Sequence, residues 1–199
     1  FRVDGYLGMS GQVGLVTAYS GDWTMDGLTA ISYAKHQAGR TELSYLLGAV
    51  RSDIVLGLGS STALGAIGLH VDATVTVPED EKSEPFVRAV AGVFARPFMR
   101  SSLTTEFYVQ SLGAERTDDY LDFAASDRYA RGELWLLGRY YASMMWGQEL
   151  GPLVTANLSS TLNLEDGSAF LGPVVNYSIS DEVQAVIGGF FGLGARPDS

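Results

Sequence analysis

His36 and His70 are the only histidines of the chain, and cysteine is absent. Thiolate catalysis, disulfides and thiolate-metal sites are therefore outside its chemistry. His70 and Asp72 stand two residues apart, which puts both on one face of a strand. With a serine they would supply the parts of a hydrolytic triad. No motif singles out a nucleophile, and two polar residues on the wet face of a strand is the plainer account. Asp118, Asp119 and Asp122, with Glu115 and Asp127 nearby, form an acidic cluster. Carboxylates gathered on a loop suit calcium, but this spacing matches no EF-hand, and a solvated acidic loop explains it as well. A third group is Arg88, Arg96, Arg131 and Arg139 with Asp72, Glu106, Glu133 and Asn157. All fall on the polar side of alternating stretches. Such side chains can select ions or solutes, or can fill a lumen with a salt-bridged network. The glycine runs at Gly188-Gly189 and Gly192 to Gly194 match no phosphate-binding motif and read as strand glycines. No cofactor and no enzymatic activity are expected.

The elements that position these residues are strands. From Leu153 to Leu164 the odd positions after the first are Thr155, Asn157, Ser159, Thr161 and Asn163. The even positions are Val154, Ala156, Leu158, Ser160, Leu162 and Leu164. One face is polar and the other apolar except for Ser160, the period-two signature of a two-faced strand. The pattern recurs. It predicts strands at 1–9, 12–20, 24–35, 41–50, 54–59, 64–77, 86–97, 101–112, 128–146, 152–164, 168–180 and 182–194. Turns are expected at 21–22, 37–40, 51–53, 60–62, 97–100, 165–167 and 180–182. A charged loop is expected at 78–85, and the longest irregular segment at 113–127, with a short helical turn. The competing reading of Ile54–Val71 as a transmembrane helix is disfavoured by Gly57, Gly59, Gly65, Gly68 and Ser60-Ser61-Thr62.

This amounts to about ten to twelve antiparallel strands joined by hairpins. Many have the nine to eleven residues, roughly, that a tilted strand needs to cross a bilayer. Charged residues are only 18 % of the 199, and glycines number 24. Apolar residues are spread over every second position instead of gathered in blocks. Trp23, Tyr45, Phe98, Tyr129, Trp146 and Phe191 lie near expected strand ends, where aromatic girdles form. The net charge of −10 argues against nucleic-acid binding. The fold expected is an all-β, antiparallel, up-and-down transmembrane β-barrel, one domain over 1–199. Hairpin parity puts 78–85, 113–127 and 165–167 on one membrane side, the extracellular one by loop length. It puts 97–100, 147–151 and 180–182 on the other.

The segment 128–199 resembles bacterial outer-membrane, porin-like barrels. The pieces that carry the likeness are ARGELWLLGRYY, ELGPLVTANLSSTLNLEDGSAFLGPVVNYSISDEVQAVIGGFFGLG and the closing ARPDS. The resemblance implies a Gram-negative outer-membrane location and a passive channel for small hydrophilic solutes. A plugged barrel that anchors envelope or surface partners is the alternative. Outer-membrane lipids are the expected partners, with other envelope proteins or further copies of the chain beside them. Members of this group usually end on a strand with a terminal aromatic. Strands missing at both ends are therefore expected, since a sheet edge in lipid leaves backbone groups unsatisfied.

Overall fold

The computed structural model describes residues 1–21, 24–80 and 82–194. Among the described residues thirteen strands form one antiparallel, up-and-down sheet. They are β1 (Arg2–Leu7), β2 (Gly11–Tyr19), β3 (Leu28–Ala38), β4 (Thr41–Val50), β5 (Asp53–Leu64), β6 (Ile67–Val77), β7 (Phe86–Ala95), β8 (Ser101–Gln110), β9 (Tyr140–Gly151), β10 (Val154–Asn163), β11 (Ala169–Ser180), β12 (Val183–Gly188) and β13 (Phe191–Leu193). Sheet order follows chain order from β1 to β12, and β13 pairs with β11. Among the described residues β1 does not pair with β12, so the sheet is not closed. Strands β3 to β11 have 10–12 residues each. Among the described residues no helix is long and apolar enough to cross a membrane. Ile54–Val71 is divided between β5 and β6. The chain divides into two compact units, 1–64 with 68–91 and 65–67 with 92–199.

In the first unit the pairing registers sort the side chains of β1 to β5 onto two faces. Leu15, Ser32, Leu47 and Leu56 follow one another across neighbouring strands, as do Val13, Ala34, Tyr45 and Leu58. On this face the described strand residues include no Asp, Glu, Lys or Arg. The opposite face holds Arg2, Asp4, Lys35, Glu42 and Asp53. Burial follows the same division. Leu47, Leu56 and Leu58 are 54 %, 48 % and 59 % exposed, whereas Val55, on the polar face, is 8 % exposed. A water-soluble sheet would bury its leucines, and here they are exposed while Val55 on the opposite face is buried. On the polar face Tyr33 donates to Asp4, Arg2 bonds both Asp4 (2.8 Å) and Tyr33 (2.9 Å), and Lys35 pairs with Glu42 at 3.5 Å.

Glycine is required where strands approach each other on that face. A Cβ on Gly48 would lie 2.8 Å from the Ile31 Cα and against the Ala30 carbonyl. Backbone cannot yield as a side chain can. Gly48→Ala is therefore expected to cost about 1–3 kcal/mol of stability through overpacking. Denaturant unfolding would check it, and an unchanged midpoint would contradict the packing described.

The second unit repeats the two-faced plan. Leu103, Trp146, Leu158 and Pro173 share one face, as do Phe107, Ala142, Leu162 and Ala169. The other face carries Glu106, Ser143, Thr161 and Phe170 in one row, and Ser102, Gly147, Asn157 and Val174 in another. Val154, Ala156, Leu158 and Leu162 thus share the apolar face, and Thr155, Asn157, Ser159, Thr161 and Asn163 the polar one. Tyr177 sits toward one end of the apolar face and Tyr140 at the other, whereas Trp146, opposite Leu158, and Tyr45 in the first unit stand mid-strand and not near strand ends as expected. Connections at one end of these strands are 111–139 and 164–168; at the other end they are 96–100, 152–153 and 181–182. The long connection 111–139 thus stands at one end, and the other four have two to five residues each.

Several boundaries differ from the sequence expectation. The strand expected at 54–59 continues through Ser60-Ser61-Thr62, where the Thr41 and Thr62 hydroxyls bond at 3.1 Å, and the turn comes at Gly65, φ 65°. The third strand begins at Leu28 and continues to Ala38, so the turn narrows to Gly39-Arg40. The turn expected at 147–151 is strand, and the chain reverses at Pro152-Leu153. The strand expected at 182–194 breaks at Gly189-Phe190. Its neighbour there is Pro173, which has no N–H to donate, so only the Gly189 N–H to Pro173 carbonyl bond remains, at 3.1 Å. The largest correction is 128–146. Residues 128–139 are not strand; they belong to the connection described next. Tyr129 sits in a helix there and not at a strand end. Trp23 and the residues 195–199 lie outside the described residues.

Candidate functional site

The polar face of the second unit carries the one long ordered connection, 111–139, among the described residues. It holds two short helices, α1 (Tyr120–Ala124) and α2 (Asp127–Ala130), with Ser126 capping α2 by accepting the Tyr129 N–H at 3.4 Å. Phe123 and Tyr129 pack edge to face, centroids 6.3 Å apart. Glu133 lies between Arg128 and Arg131, each 3.0 Å from one carboxylate oxygen.

Its base is fastened to the strand ends by side chains from the polar face. Gln110, the last residue of β8, is fully buried. Its amide nitrogen donates to the Leu136 and Gly138 carbonyls, both at 2.7 Å, and its amide oxygen accepts from the Tyr108 hydroxyl at 3.2 Å. The Gly138 N–H donates to the Tyr141 hydroxyl at 2.7 Å. The Arg139 N–H donates to Glu165 at 2.9 Å, while its guanidinium bonds the Gly113 carbonyl at 2.8 Å and pairs with Glu115 at 2.7 Å. Asn163 donates to the Tyr120 hydroxyl at 2.8 Å and accepts from the Glu165 N–H at 3.0 Å. The two ends of the connection meet where Gly113 passes Gly138, too close for a Cβ on Gly113. Buried polar groups left unpaired would be costly, so this satisfied network fixes the connection in one place.

Burial pushes the Tyr120 hydroxyl up from 10 to about 12, the Asn163 bond opposing and the Asp166 and Glu165 carboxylates adding to the rise. A released Tyr120 ionises from 10, a docked one only near 12. The contribution of Tyr120 to docking is therefore fully present below pH 10 and is lost as pH rises through 12. A tyrosinate absorbance titration beside limited proteolysis is expected to show the connection opening in that window, and Tyr120→Phe is expected to remove this component. Opening at the same pH in both proteins would contradict the assignment.

The sequence-derived candidates separate into several places. Arg131, Glu133 and Arg139 belong to the connection and not to a strand. Glu106 is on the polar face of β8 and accepts from the Ser143 hydroxyl at 3.4 Å. Arg96 and Asn157 line one cleft at the short-connection end of the second unit. In the first unit Asp72 lies on the polar side of β6, its carboxylate beside Gly59 and the Ser44 hydroxyl. Arg88 stands over the Phe86 ring at 5.6 Å. His36 stacks on Tyr45, centroids 5.7 Å apart. Asp118 pairs with Arg116 at 3.0 Å, and among the described residues no three carboxylates or histidines gather into a group that could hold a metal, Asp118, Asp119 and Asp122 included. Sequence reading missed Gln110, Tyr141 and Glu165. The signal for them is modest: uncharged or acidic residues at strand ends, flanking the two glycines that bracket the connection.

No protein-family model, no curated protein and no solved structure matches the chain.

Proposed function

We propose that the chain is an outer-membrane, porin-like protein whose polar face lines a passage for passive diffusion of small hydrophilic solutes. The observation that carries this reading is the segregation of charge: strands of bilayer-spanning length, an exposed apolar face free of charge, and a polar face opposite. Asp72 and Arg88 on the polar face of the first unit, and Arg96 and Glu106 on that of the second, would then meet solute, and the connection 111–139 would limit access along the second unit's polar face. Its base is fastened to the strand ends by polar-face side chains, where a constriction would act. Such side chains would select by charge and size without any chemical step, so no catalytic role is assigned.

Planar-bilayer recording of the refolded full chain tests this. Discrete conductance steps are expected, enlarged when the connection is loosened by Gln110→Leu. A protein that inserts into lipid but gives no steps in either form would contradict the channel and favour the second reading, a plugged scaffold barrel that holds envelope partners. That alternative draws on the number of bonds that hold the connection in place.

A further inference from the structure

At the short-connection end of the second unit a cleft of about 380 Å³ opens on the polar face. Arg96 and Arg100 line it, with Ser102, Gln148, Thr155 and Asn157; Glu149 is its one carboxylate. Among the described residues neither guanidinium has a carboxylate within ion-pair distance, so the cleft keeps a net positive charge. Its floor is cleared by Gly147, where a Cβ would lie 2.9 Å from the Ser102 hydroxyl and 3.1 Å from the Asn157 amide oxygen.

The turn that presents the arginines is held rigidly. The Ser101 hydroxyl is buried, accepts the Phe98 N–H at 2.9 Å and donates to the Phe98 carbonyl at 2.8 Å. The Arg100 carbonyl accepts from the Glu149 N–H at 3.0 Å and from the Gln148 amide at 3.3 Å. Arg100 itself has φ 61°, a conformation that glycine or asparagine adopts at lower cost. A strained arginine on a pinned turn, beside Arg96, which stands over the Phe94 ring at 5.9 Å but meets no carboxylate among the described residues, and a glycine-cleared polar floor, is an arrangement that packing alone does not require.

We infer that this cleft binds a small solute through an oxyanion, a carboxylate or phosphate group. The two arginines supply the charge-assisted donors, and the Ser102 and Thr155 hydroxyls and the Asn157 amide supply neutral ones, while the Gln148 amide is engaged in holding the turn. The source is a dissolved solute and not a lipid headgroup, because Ser102, Gly147, Thr155 and Asn157 stand on the polar face, opposite Trp146 and Leu158. The inference does not need an open passage, since binding is an equilibrium property of the cleft.

Calorimetric titration of the full chain, refolded in non-ionic detergent at low ionic strength, with inorganic phosphate and with succinate, tests it. Saturable binding is expected for at least one of the two. Arg96→Gln and Arg100→Gln should each weaken it about tenfold, the loss of one charge-assisted hydrogen bond. Arg116→Gln should leave it unchanged. Arg100→Gly is the discriminating variant: it relieves the backbone strain, so the unfolding midpoint should hold or rise while binding is lost. Gly147→Leu should fill the floor and abolish binding. Absence of saturable binding, equal affinity in Arg100→Gly, or binding only to phosphatidylglycerol vesicles would each overturn the inference.

Discussion

Arginine in place of Leu47 or Leu158 is expected to destabilise the protein by about 2–4 kcal/mol in lipid vesicles, while Met145→Arg and Ser44→Arg cost about 0–1 kcal/mol. Leu47 and Leu158 stand mid-strand on the apolar faces of their units. Met145 and Ser44 stand on the polar faces, Ser44 beside the Asp72 carboxylate. Removing an apolar side chain would thus be harmless at Met145, although that residue is 61 % exposed, and costly at Leu47, which is 54 % exposed. In a water-soluble sheet both exposed sites would accept arginine at almost no cost. Equilibrium unfolding of the four variants from vesicles reads the difference directly. Equal costs on the two faces would contradict a membrane setting for the apolar face.

The second large effect concerns the connection. Gln110→Leu removes the donor shared by the Leu136 and Gly138 carbonyls and leaves the Tyr108 hydroxyl without its amide acceptor. Each buried group left unpaired costs about 1–3 kcal/mol, and the leucine regains part of that by burial. A net loss of about 2–4 kcal/mol should fall on docking of 111–139 more than on the sheet. The opened population would then rise by roughly 30- to 1,000-fold. Tryptic cleavage after Arg128 or Arg131 reports it. Cleavage at the parent rate would mean that Gln110 does not hold the connection.

The strands were legible wherever the pattern and the register are both local. Residues 154–163, 67–77 and 41–50 alternate cleanly because one face meets polar groups and the other does not, and each is a strand with the faces expected. Residues 128–139 alternate too, Leu134 and Leu136 against Glu133 and Trp135, yet they are not strand. The Leu136 and Gly138 carbonyls are taken by the Gln110 side chain, more than twenty positions away in the chain, and Leu134 is buried. A period-two pattern records which side chains avoid water, not which partner takes the carbonyls. The break at Gly189-Phe190 was illegible for the same reason, since its cause, Pro173, lies on the neighbouring strand. Of the candidate site, the charged residues on strands were readable from alternation. The amide and hydroxyl groups that fasten the connection were not, because a buried glutamine and an exposed one look alike in sequence.

The central claim is that one face of these strands meets lipid and the other water. Single spin labels at consecutive positions 154–163 of the protein in vesicles, scanned with oxygen and with a water-soluble relaxing agent, test it most directly. The account predicts oxygen access at Val154, Ala156, Leu158 and Leu162, and water-phase access at Thr155, Asn157, Ser159 and Thr161, alternating residue by residue. Equal access to both agents along the whole strand would contradict it.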